Sequence, residues 1–571
     1  MRFDTVLTDC WFYNTPFNRF YHGWIGITGD KIGAACRGEL PDDIQYGQCV
    51  SLGGRQVVPG LVDIHTHIES TLMTPGGFAD AMIMHGVTTV VSEPHEIANV
   101  SGVKGVLAMI EAGKDAPMDI FYGIPSSVPA SNSGLETTGG SIDEAEVAEL
   151  CRNPMVRCLG EVMNARSVIS EPDGKANRIV REFKKDAPLL PVEGHCPRLK
   201  GLDLAKFVFA GIDSDHTEHD LEEFRERWFD GMLVELQEKT LTPEIIRFMR
   251  ENGLSIRTAI VTDDQMADTL ASDGALDRLV RLAIKCGFPR NDAIRSATWV
   301  PAERMLLRDR GEIKPGLLAD LVVLEEDEAF RPSAVYKRGR LMWNSGMTGD
   351  PGKTYSFPKE FMDTVKLGRL TEDDFTIRCS GTRRTVRTMS VSPERTSTEA
   401  GEAEMDVKDG ELMWEGSGWN LAAVFDRYTG SGARGYGFLG GSCHKRGAVA
   451  STYSHDNHNL LVAGADKRDM AAAANRVREL GGGIAVAEDG KVIAEIALPV
   501  GGIMSRHGAA AVGRDLGAVV DAMRSLGYVH PSPIMSLCVI SLTVSPELKV
   551  TDKGLVDVRK QRIVPLFADE G

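Results

Sequence analysis

The hydrophobic and polar positions of the chain change rhythm along its length. Up to residue 58, short β-rich segments ("FDTVLTDCWFY", "WIGITGDKIGAAC", "QCVSLGGRQVV") are broken by Gly-Asp and Gly-Gly turns. They predict a small sheet, too small to stand alone as a domain. From Val57 to about Arg308, apolar strand-like runs alternate with helical ones. Strands are predicted at "VVPGLVDIH", "GVTTVVSE", "DIFYGIPS", "VRCLGE", "LLPVEGH", "GIDSDH", "GMLVELQ" and "LSIRTAIVTD". Amphipathic stretches such as "LEEFRERWF" and "TPEIIRFMREN" lie between several of them. Eight strands alternating with helices over about 250 residues is the size and rhythm of a (β/α)8 TIM-like barrel.

Strand patterns return at "GEIKPGLLADLVVLEED" and "VYKRGRLMW", which can complete the N-terminal sheet. Residues 344–358, rich in Gly, Pro, Ser and Thr, predict a linker. Beyond it, "KRDMAAAANRVREL" predicts a helix ended by the glycines at 481–483, and "IAVAEDGKVIAEIAL" a hairpin around an Asp-Gly turn. The expected organisation is α/β. A small β-sandwich domain (1–58 with 309–345) is built from both sides of a barrel (59–308), and a C-terminal α+β domain (359–571) follows.

Composition narrows the function. The chain has 571 residues and a net charge of −17, which argues against nucleic acid or an anionic membrane surface as the main partner. The ten cysteines form no C-x-x-C pair and read as reduced thiols. No signal peptide pattern opens the chain, and no apolar run approaches about 20 residues. The expected setting is the cytoplasm, and the expected state a homo-oligomer, with a dimer favoured.

The chemistry lies at the ends of the predicted strands. "PGLVDIHTHIES" puts His65 and His67 two apart at the end of the first. Residues i and i+2 of a strand point the same way, here from the face on which barrel active sites sit. Alone, an H-x-H pair is ordinary. But Glu161 closes "CLGE", His195 "VEGH", His216 "SDH" and Asp263 "IVTD". Six N/O ligands without cysteine suit Zn, Mn or Fe(II), and six are too many for one tetrahedral zinc. Two ions sharing a bridging carboxylate is the natural partition, with Glu161 as the bridge.

These residues resemble the amidohydrolase superfamily. The extended motifs "PGLVDIHTHIESTLMTP", "PHEIANV", "GEVMN", "SDHT", "TDD", "GAVASTYSHDNHN" and "SPELKVTDKGLVDV" resemble the bacterial adenine deaminase family over nearly the whole chain. The resemblance implies two divalent metal ions, a small purine substrate, and attack of metal-activated hydroxide on C6 of adenine, releasing hypoxanthine and ammonia. It implies Asp263 as general base and then general acid. Glu93, His95 and Glu96 are implied to protonate or bind the base; the alternative is that His95-Glu96 only caps the helix "IANVSGVKGVLAMIEAG". Three features depart from the pattern: Glu93 where the family carries Asp, His219 just after His216, and Cys196 beside His195.

His455, Asp456 and His458 in "SHDNHN" form a second two-spaced histidine pair with a carboxylate. It reads as an additional metal site, a group reaching the barrel mouth, or a hydrogen-bonded turn. The alternatives to adenine deamination are an amide or cyclic-amide hydrolase with the same metal core, and a non-catalytic scaffold.

Overall fold

The computed structural model describes residues 2–326, 329–347, 355–393 and 397–570, so residues 348–354 of the expected linker lie outside the described residues. Strands from both sides of the central segment share one eight-stranded sheet. Its order is Arg340–Asn344, Pro332–Lys337, Leu321–Leu324, Gln56–Pro59, Arg2–Asn14, Arg19–Thr28 and Lys31–Arg37, with Gln45–Ser51 also paired to Arg2–Asn14. The seam is the antiparallel register of Val57 with Val323 and Val58 with Val322.

The central segment contains a curled parallel sheet. Leu61–Thr66, Val87–Ser92, Asp119–Ile124, Val156–Val162 and Val192–Gly194 pair in sequence order. Ser214–Asp215, Leu233–Leu236 and Thr258–Ile260 form a second parallel sheet. Backbone bonds join the two at both ends: Asp213 N–H donates to Val192 O at 3.4 Å and Asp263 N–H to His65 O at 3.0 Å. These strands read as unbroken apolar runs because both faces are covered. Val62, Ile64, Val91, Phe121, Ala259 and Val261 pack in one apolar cluster. Leu61, Val87, Val90, Ile120 and Ile260 pack in another, with the surrounding helices. Several strands are shorter than their patterns, because the chain turns away once it reaches the polar strand ends. The stretch Leu254–Arg257, expected to open the last strand, is a 3-10 turn.

Beyond residue 359 lies a nine-stranded sheet ordered Glu411–Leu412, Thr398–Lys408, Arg383–Val391, Arg434–Gly441, Asn420–Phe425, Leu460–Gly464, Ala448–Ser451, Gly483–Glu488 and Lys491–Ala497. The run "NLAAVF" serves two cores by its period of two. Leu421, Ala423 and Phe425 pack with the helix Lys467–Leu480. Ala422 and Val424 join the core that continues into the central segment. The helix ends at Gly481, whose φ of 72° is a left-handed conformation that costs glycine nothing sterically. Among the described residues, no helix is long and apolar enough to cross a membrane.

One core position is costly. Lys549, in the strand Leu548–Thr551, is fully buried, and its Nζ has no hydrogen-bond partner. Burial pushes its amine from the ordinary 10.5 down to about 7. The unfolded chain keeps that proton to about pH 10. Between about pH 7 and pH 10 the unfolded state therefore binds more protons, and stability rises with pH. Lys549→Met is expected to raise the melting temperature at about pH 7 by at least about 2 °C and to flatten that rise. Thermal melts at about pH 7 and pH 9 check it, and a lower melting temperature at both would contradict it.

Candidate active site

The strand Leu61–Thr66 carries His65 and delivers His67 just past its end. Its pairing register shifts between Asp63 and Thr66, where regular alternation stops, and such irregularities re-aim side chains beside active sites. The two rings meet edge-on, 5.1 Å apart. Glu161 is the penultimate residue of Val156–Val162, and His195, His216 and Asp263 follow the strands Val192–Gly194, Ser214–Asp215 and Thr258–Ile260.

All six candidates converge. Glu161 Oε1 lies 3.5 Å from His67 Nε2, while Glu161 Oε2 lies 2.9 Å from His195 Nδ1 and 3.2 Å from His216 Nε2. One carboxylate thus turns an oxygen to each histidine pair. Asp263 Oδ1 is 3.8 Å from His65 Nε2 and 3.5 Å from His67 Nε2. His195 Nδ1 and His216 Nε2 face each other at 3.1 Å. His65 Nε2 and Glu161 Oε2 are buried and lack hydrogen-bond partners.

The charge balance has the same character. Glu69, Glu93, Glu96, Glu161, Glu235 and Asp456 are all buried around these histidines. Burial, and then the charge of Glu96, pushes Glu69 up to about 8. Buried carboxylates at this density need cations close by, and several groupings here, among them His65–His216–Asp263 and Glu161–His195–His216, have atoms close enough to hold one. The donor set fits divalent metal.

The substrate-binding candidates join the same cluster. The helix expected to begin after them starts at His95 instead (His95–Ala112), so His95 and Glu96 occupy its first turn. Glu93 stays on the preceding loop, with Oε2 2.5 Å from His95 Nδ1. His95 Nδ1 is also 3.5 Å from Glu161 Oε1. Most of the cluster is closed to solvent. Access runs past His195 and Asp263, whose side chains are 34% and 19% exposed, and past exposed Asp264.

Two sequence comparisons bear on this arrangement. The amidohydrolase family model matches residues 56–342, and the adenine deaminase C-terminal domain model matches 395–562. The chain is similar to adenine deaminase 2 of Shouchella clausii, 44% identical over 100% of both chains. It is also similar to adenine deaminase of Clostridium perfringens (40%, over 99% of this chain and 100% of that one) and to adenine deaminase 2 of Oenococcus oeni (40%, over 97% of each). The chain belongs to the adenine deaminase family of amidohydrolases. That family is metal-dependent, and the groupings described above are this member's candidate ligands.

Two departures from the family pattern have structural partners of their own. His219 Nε2 sits 3.0 Å from Asp215 Oδ2, which also accepts from Arg227 Nε at 2.9 Å, so this histidine is turned on a buried ion cluster. Cys196 Sγ lies 3.1 Å from the same carboxylate oxygen, and burial pushes its thiol well up. The residue that sequence reading missed is Glu235. It is buried with neither oxygen hydrogen-bonded, 3.8 Å from His65 Nδ1 and 3.9 Å from His216 Nδ1. Its signal was a charge in the middle of the apolar run "GMLVELQ".

Proposed function

We propose that the protein hydrolyses adenine to hypoxanthine and ammonia at a binuclear metal site held by His65, His67, Glu161, His195, His216 and Asp263. The observation that carries the two-ion reading is Glu161, which offers one oxygen to His67 and the other to His195 and His216. The family membership carries the substrate. Mn, Fe(II) and Zn all suit the donor set, and when bound the ions supply Lewis acidity and lower the pKa of water.

The remaining steps fall to the chain itself. Asp263 takes the proton of the attacking water at its carboxylate, a C6–O bond forms, and the proton passes on to the leaving amino nitrogen. The C6–N bond then breaks and ammonia departs. Glu93, with His95 held against it, addresses the ring nitrogens, and Glu96 supports this group from the same helix turn. The two parallel sheets are read as one closed (β/α)8 barrel (59–308), flanked by the sheet domain (1–58 with 309–345) and the C-terminal α+β domain (359–571). The cysteines form no C-x-x-C pair in the sequence, which fits a reducing, cytoplasmic compartment.

A closed site of this kind excludes a ribose on N9, because packed interiors yield little. The free base is therefore expected to be turned over and adenosine not. The check is ammonia release from adenine, adenosine and 2,6-diaminopurine with metal-loaded protein. Comparable turnover of adenosine would contradict the free-base reading. Silence with all three, at two ions per chain, would favour a cyclic-amide substrate.

A further inference from the structure

We propose that the C-terminal domain completes the active site, with Asp456 as a positioning residue that holds His95 from its outer edge. This rests on adenine deamination at the site above. The segment 452–459 is buried throughout and follows the strand Ala448–Ser451. It is pinned from several sides: Tyr428 Oη donates to Asn457 O at 2.6 Å, Asn459 Nδ2 to Thr137 O at 2.9 Å, and Ser541 Oγ to His455 O at 2.9 Å. So held, it places Asp456 Oδ1 3.7 Å from His95 Nε2. The other ring nitrogen of His95 faces Glu93 and Glu161. A carboxylate at each edge leaves the imidazole one useful orientation, with Nδ1 toward the reacting groups.

Asp456 is itself oriented by a relay that returns to the central segment. His455 Nδ1 lies 3.2 Å from Asp456 Oδ1, and His455 Nε2 lies 3.0 Å from Tyr453 Oη. Tyr453 Oη donates to Ser70 Oγ at 2.9 Å, and Ser70 Oγ donates to Asp264 Oδ1 at 2.5 Å. A turn that served only the fold would satisfy its carboxylate, but Asp456 Oδ2 is buried without a partner. His458 takes no part in the relay: its Nδ1 accepts from Ser454 N–H at 3.2 Å within the turn. His455 and Asp456 form the relay, and His458, whose Nε2 is also buried without a partner, stands beside it.

The test is a double-mutant cycle in the full-length, metal-loaded protein, using Asp456→Asn, His95→Gln and the pair. Metal content, melting and the kcat and KM for adenine are read for each. Asp456→Asn is expected to lower kcat by about 10- to 100-fold with metal and melting unchanged. The double variant is expected to be no slower than His95→Gln alone, as for residues that act as one unit. His455→Gln leaves the carboxylate in place and gives a smaller loss that also vanishes in the His95→Gln background. This second variant decides the matter should Asp456→Asn fail to fold. Additive losses, an unchanged kcat, or loss of metal from Asp456→Asn would overturn the proposal, the last by making His95, His455 and Asp456 a metal site. Absence of adenine turnover by the unsubstituted protein would instead overturn the deaminase reading.

Discussion

Glu161→Gln is expected to lose at least one bound ion, and adenine turnover with it, by about 10³-fold or more. The carboxylate is buried and turns one oxygen to each group of histidines. Between two dications its negative charge would screen their repulsion, and an amide of the same shape would not. Losing an ion removes Lewis acidity worth several kcal/mol of transition-state stabilisation, and each 1.36 kcal/mol is about tenfold in rate. Metal analysis and turnover on the same preparation check the effect together. Two ions per chain with normal turnover would remove Glu161 from its bridging role.

Asp263→Asn is expected to keep metal and to lose about 10²- to 10⁴-fold in kcat, the range of a general acid–base contribution. Burial alone would raise this carboxyl. The contact with His67 and the charges of His216 and His65 outweigh burial and hold it well below the usual carboxylate range, so it stays ionised. Asp263 has a φ of 57°, in the left-handed region that Asp and Asn tolerate better than most side chains. The substitution therefore tests proton transfer without straining the backbone. Near-normal turnover at full metal content would move the proton to another group, Glu93 or His95.

Much of this site was legible in the sequence because its candidate ligands end apolar runs. His65, His195 and His216 each close a stretch whose strand character is plain, and the structure brings all three to Glu161 and Asp263. The boundaries were less legible. His95 reads as loop because Pro94 precedes it, yet the helix opens on that histidine. Glu235 showed only as a charge inside an apolar run, because strand alternation gives a face and not the neighbours, which come from two other strands. The link from Asp456 to His95 joins residues more than 350 apart in the chain. Spacing within "SHDNHN" cannot reveal a partner supplied by tertiary packing, nor separate His455 and Asp456 from His458.

The central claim is hydrolysis at C6 of adenine, and oxygen-18 water tests it most directly. Metal-loaded protein turning over adenine in labelled water is predicted to give one ammonia per hypoxanthine, with a single labelled oxygen in the purine product. Ammonia without labelled hypoxanthine, or no reaction from protein carrying its full complement of metal, would contradict the account.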